Sequence, residues 1–106
     1  MSETFGTKTC DVVGYEACYV TFATRGYPRR LRKEWDETTG ADGTWAIVMR
    51  YVTAWKIIDL AGADVPLPDG ERPLTLVDNV EDAVVTWITR AFVNFWLVEL
   101  VVPRPN

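Results

Sequence analysis

Between Asp78 and Pro103 the apolar residues recur at helical spacing, and in the second half of the segment they leave almost no wet side. Val84, Trp87, Ile88, Ala91, Phe92, Phe95 and Trp96 make one broad face, and Val93 with Leu97 close the ring behind it. Glu81, Asp82, Thr86, Arg90 and Asn94 keep the first half polar on one side. Asp78 and Glu81 have the spacing of a capping box, with Asp in place of the usual hydroxyl residue. The pattern predicts a helix over 79–101. A helix that is apolar all round lies at the centre of a core or is bound to something. A chain of 106 residues is expected to be a single domain, 1–106, too small to surround such a helix by itself. The expectation is therefore an interface, with the clustered aromatics Trp87, Phe92, Phe95 and Trp96 as its anchors.

Upstream, the stretch Tyr15–Thr24 alternates in period two, with Val20 and Phe22 inward. It predicts a strand over 15–24, paired with residues 8–13 across a turn at Gly14; residues 1–14 hold that first strand and a partly flexible N-terminus. A two-stranded hairpin is marginal alone and needs further structure behind it. Pro28 suits a helix start, and Leu31 with Trp35 share a face, so a helix is expected over 28–38. Residues 45–58 repeat Val48, Tyr51, Val52, Trp55 and Ile58 at helical spacing, which predicts a helix over 44–58, capped by Asp42 or Thr44. Residues 59–70 carry Gly62, Pro66 and Pro68 and form a surface connection. The expected fold is α+β and mostly helical: an N-terminal β-hairpin followed by three α-helices. The second and last helices should pack through Val48, Val52 and Trp55 against Val84, Ile88 and Phe92.

The chain contains no histidine, which removes histidine acid–base catalysis, histidine-containing triads and histidine metal sites. No phosphate-binding loop, nucleophile elbow or calcium loop is present. No enzyme activity, cofactor or metal is expected. The segment before Cys10 lacks the basic and apolar regions of a secretory signal, and no apolar run is long enough to span a membrane. A cytoplasmic protein is expected, with no membrane partner. If Gly14 centres the hairpin, Cys10 and Cys18 face each other, and a cross-strand disulfide is geometrically open. In a reducing compartment two small buried thiols are the expected state.

Residues 26–37 read GYPRRLRKEWDE and hold Arg29, Arg30, Arg32 and Lys33 within five positions. Pairs Arg30–Glu34 and Lys33–Glu37 at i, i+4 spacing would be worth about 0.2–0.5 kcal/mol each. Basic residues first and acidic residues last oppose the helix dipole. A helix built for its own stability would reverse that order. A solvated face with local pairs is one reading; a surface for an acidic protein partner is the other. Nucleic acid is not expected, because the formal net charge is −4 and neither interleaved aromatics nor a glycine-rich phosphate loop accompany the cluster.

Three runs, VTFATRGYPRRLRKEW, IVMRYVTAWKIIDLAGADVPLP and LVDNVEDAVVTWITRAF, resemble in order and composition the tail assembly chaperones of long-tailed bacteriophages. Trp55, Ile57, Ile58, Asp59, Gly62 and Pro66 carry the middle of that resemblance, which covers roughly residues 20–92. The resemblance implies a non-enzymatic viral assembly factor of the host cytoplasm. Such a factor would bind and shield a helical tape-measure-type protein, and a homo-oligomer is expected. Trp87, Phe92, Phe95 and Trp96 would cover the partner, while Arg29, Arg30, Arg32 and Lys33 would meet its acidic groups. A structural tail or neck subunit, or a small regulator of a bacterial host target, are the alternatives.

Overall fold

The computed structural model describes residues 5–100. In chain order it contains strands β1 (Thr7–Thr9) and β2 (Tyr19–Phe22), helices α1 (Leu31–Glu37) and α2 (Gly40–Arg50), strand β3 (Val52–Lys56) and helix α3 (Asp82–Asn94). A 3₁₀ turn (Leu74–Val77) precedes α3 and a π-helical turn (Phe95–Glu99) follows it. The strands form one antiparallel sheet in the order β1-β2-β3. Helices cover 42% and strands 15% of the described residues, so the fold is α+β without being mostly helical.

The hairpin has the symmetric register about Gly14: Thr7 pairs with Thr21, Lys8 with Val20 and Thr9 with Tyr19. Its connection is longer than a three-residue loop, with successive turns closed by Tyr15 N–H to Val12 O and Cys18 N–H to Tyr15 O. Gly14 takes φ 94° there, a conformation that penalises any Cβ. Cys10 and Cys18 are buried, free thiols joined through the Cys10 N–H to Cys18 O bond at 3.0 Å. Burial pushes the Cys10 thiol pKa up.

The expected helix over 44–58 is two elements. α2 starts earlier, at Gly40, with Thr39 as N-cap and no side-chain cap from Asp42 or Thr44. It ends at Arg50, and after Tyr51 the chain enters β3 without any glycine or proline. β3 completes the sheet that the hairpin alone could not stabilise. It pairs Lys56 with Tyr19, Trp55 with Val20 and Ala54 with Thr21, and then Val52, not Thr53, opposes Phe22. Thr53 is the extra residue of a β-bulge. A regular strand would put Val52 and Trp55 on opposite faces. The bulge instead lets Val52 turn inward beside Phe22.

Two further boundaries differ from the sequence reading. The expected helix over 28–38 is shorter, because residues 29–30 form only a turn before Leu31. The expected helix over 79–101 starts at Asp82 with Glu81 as N-cap, and no side-chain cap bond forms, so the Asp78–Glu81 capping box is absent. At Phe95 the helix widens: Leu100 N–H donates to Phe95 O, five residues back, at 2.9 Å. The same spacing brings Asn94 Nδ2 to Glu99 Oε2 at 3.3 Å, and Glu99 pairs with Lys8 of β1. Residue 101 lies outside the described residues.

The helices cover one face of the sheet. Val20 and Phe22 from β2, Val52 from β3, Leu31 from α1, Val48 from α2, and Val84, Ile88 and Phe92 from α3 join one core. α2 and α3 are in contact, as expected, but Val52 and Trp55 reach the core from a strand.

The connection from Ile57 to Pro73 is fixed by three side chains. Trp55 Nε1–H donates to Val65 O at 2.8 Å, and Trp45 Nε1–H donates to Arg72 O at 3.0 Å. Arg72 donates Nε–H to Pro68 O and Nη1–H to both Met49 O and Val52 O, at 2.6, 3.1 and 2.7 Å. One guanidinium therefore caps the end of α2, the start of β3 and the connection that passes them. Arg72→Met retains the aliphatic stem and removes the donors. The expected loss is about 2–3 kcal/mol, read as a lower urea midpoint at unchanged m-value.

Candidate protein-binding surface

The four aromatic anchors read from the sequence are in the core. Phe92 and Phe95 are 0% exposed, Trp87 4% and Trp96 5%. Phe92 is met by the rings of Phe22, Trp96, Tyr51, Trp35 and Tyr27, at centroid distances from 5.6 to 6.2 Å. Phe95 stacks on Phe22 and meets Phe5 edge-on at 5.0 Å. The chain does surround its apolar helix, because β3 and the sheet supply walls that a mostly helical reading lacked. The expected interface over these aromatics is therefore corrected to an intramolecular core.

Tyr27 and Tyr51 stack at 4.4 Å on the edge of this cluster, and Tyr27 Oη donates to Ala23 O at 2.8 Å. Burial pushes the Tyr27 phenol pKa well above its ordinary value. Among the described residues every buried side-chain N or O has a partner. No group of three acidic or cysteine residues there has the arrangement to hold a metal ion.

The basic candidates are on the surface. Arg29, Arg30, Arg32 and Lys33 are all exposed and line one shallow concavity. Neither expected local pair forms among the described residues. Glu34 instead receives both Nη groups of Arg50 from α2, one at 3.2 Å. The bond from Arg50, together with the fields of Arg50 and Arg30, holds the Glu34 carboxyl below the usual range. Glu34, in the first turn of α1, thus fastens α1 to α2, and the cations around it are left to solvent.

Arg25 belongs to the same surface and was missed, because it precedes Gly26 and lies outside the expected helix. A charge count over residues 25–33, five cations and no acid, finds it. None of these five cations forms an ion pair among the described residues. Arg25, Arg29 and Arg32 rim a groove of about 310 Å³ whose wall includes Tyr27, Trp96 and Leu100. A larger open depression of about 810 Å³ lies by Arg50, Glu71 and Arg72, but both arginines are already committed, to Glu34 and to backbone carbonyls.

Compared with protein-family models, characterised proteins and solved structures, the chain matches none.

Two outcomes follow from this geometry. Phe92→Ala is expected to cost about 3–5 kcal/mol of stability, whereas Arg32→Glu changes it by about 0.5 kcal/mol or less; urea titrations of the two variants separate core from surface. The depressed Glu34 pKa means that its pairing contributes above the unfolded-state pKa and is lost as pH falls through the lower folded value. In an NMR titration of the side-chain carboxyl, Glu34 should titrate below the ordinary glutamate value, and Arg50→Gln should move it upward.

Proposed function

We propose that the protein is a non-enzymatic, protein-binding assembly factor that holds a helical tape-measure-type partner soluble during phage tail assembly. The observation that carries this reading is the exposed cationic face of residues 25–33, without an ion pair among the described residues, on an otherwise acidic chain. A cluster built only for folding would be neutralised by the neighbouring Glu34, Asp36 and Glu37; here Glu34 is turned away to Arg50. Guanidinium groups recognise carboxylates in paired, directional fashion. The net charge of −4 opposes long polyanions and leaves acidic protein segments as the fitting partners. The order of the segments, from the strand and basic helix to the acidic start of the last helix, adds the likeness to tail assembly chaperones.

The contact in this reading is electrostatic and lies on α1, with the aromatic residues of α3 serving as the rigid support beneath it. Trp35 links the two, meeting Phe92 and Trp96 at 5.9 and 5.8 Å.

Co-expression with the long helical protein encoded beside it tests the reading. The soluble fraction of that partner should rise several-fold with the wild-type chain and fall back with Arg30→Glu/Lys33→Glu, whose circular dichroism should be unchanged. A partner equally insoluble with and without the wild-type chain would reject the assignment.

A further inference from the structure

The charges of this chain are sorted along α3. At its C-terminal end, Trp96 and Leu100 share the groove rimmed by Arg25, Arg29 and Arg32. The nearby Glu99 is already taken by Lys8 and Asn94. At the other end stand Asp78, Glu81 and Asp82, and between Ile57 and Thr89 the only cation is Arg72, whose donors go to backbone carbonyls. None of these three carboxylates forms an ion pair among the described residues.

At about 1.5 Å per residue, roughly 20 Å of helix separates Asp82 from Trp96. The Debye length at physiological salt is about 8 Å. The two ends therefore cannot neutralise each other within one chain.

An apolar knob accompanies the acidic end. Leu60 is 65% exposed, and its N–H donates to Asn79 O at 2.8 Å, which sets it beside Asp78. It sits on a fixed turn: Asp59 Oδ1 accepts from Ala61 N–H and Ala63 N–H, both at 2.9 Å. A leucine flanked by carboxylates is the complement of a groove with an aromatic and aliphatic wall and an arginine rim.

We propose that Leu60, held by its N–H to Asn79 O in the acidic segment that carries Asp78, Glu81 and Asp82, docks into the Arg25/Arg29/Arg32 groove of a second copy of this chain. The two surfaces differ, so the contact is heterologous: each pair keeps one unused groove and one unused knob, and association continues head to tail, into a closed ring or an open filament. This goes beyond the assembly-factor reading and does not depend on it: it engages Arg25, Arg29 and Arg32 and leaves Arg30 and Lys33 of the same face exposed.

Sedimentation velocity on the purified chain tests it with two variants that alter only exposed side chains. Arg25→Glu/Arg29→Glu blocks the groove and Leu60→Asp blocks the knob. The wild type should form species larger than a monomer at low salt that dissociate as salt is raised. Each variant alone should be monomeric. A mixture of the two should give a species of two chains and nothing larger, because one variant supplies the intact knob and the other the intact groove. A wild type that stays monomeric at low salt and high concentration overturns the proposal, as does either variant associating like the wild type. Should circular dichroism show a variant misfolded, Arg25→Gln/Arg29→Gln or Leu60→Ser takes its place, with the same outcomes deciding.

Discussion

The ring of Phe92 is the contact on which the arrangement depends. It receives one aromatic ring from β2, one from the segment after it, one from α1, one from the junction of α2 with β3, and one from the turn after α3. Aromatic pairs in tilted or edge-on geometry contribute about 0.5–1.5 kcal/mol each beyond the area they bury. More important is the geometry they impose. α1 has only seven residues and no side-chain cap, too short to hold itself. Trp35 on Phe92 and Trp96, with Glu34 on Arg50, holds it in place. The orientation of the cationic surface therefore follows from a hydrophobic contact beneath it.

The sequence shows α3 clearly, since Val84, Ile88 and Phe92 repeat at a period only a helix uses. The register of the hairpin follows from the strand pattern around Gly14. The misread segment is more instructive. Val48, Val52 and Trp55 are spaced as a helix would space them, and all three face inward. In the structure that spacing comes from a helix followed by a bulged strand. The bulge at Thr53 shifts the phase by one residue, converting an alternation of two into a spacing of three. No glycine or proline announces the change at Tyr51. What decides it is tertiary: Tyr51 O accepts from Ala23 N–H at 2.7 Å, and the Tyr51 ring stacks on Tyr27. Propensity is a weak prior against such contacts.

The same strand decides where the exposed surface lies. Without β3 the sheet is too small to wall in α3, and the aromatic residues look available to a partner. With β3 in place they form the core, and the large apolar side chains left outside, Val13, Leu60 and Val98, lie elsewhere on the chain. Arg29, Arg30, Arg32 and Lys33 were legible because charge needs no tertiary context to be counted. Arg72 was not, since its value lies in three carbonyls contributed by separate parts of the chain.

The strand order carries a further consequence, for how the chain reaches this state. β2 is central, yet its two neighbours are unlike in separation: β1 is joined to it by a short turn, and β3 arrives only after α1 and α2. Pairing of the first kind closes a small loop and pairing of the second a much larger one, whose entropy must be met before any ladder forms. The hairpin therefore closes at the smaller entropic cost, and the pairing of β3 with β2, which encloses α1 and α2 in its loop, carries the larger one. The basic surface of α1 thus lies inside the costliest loop of the sheet.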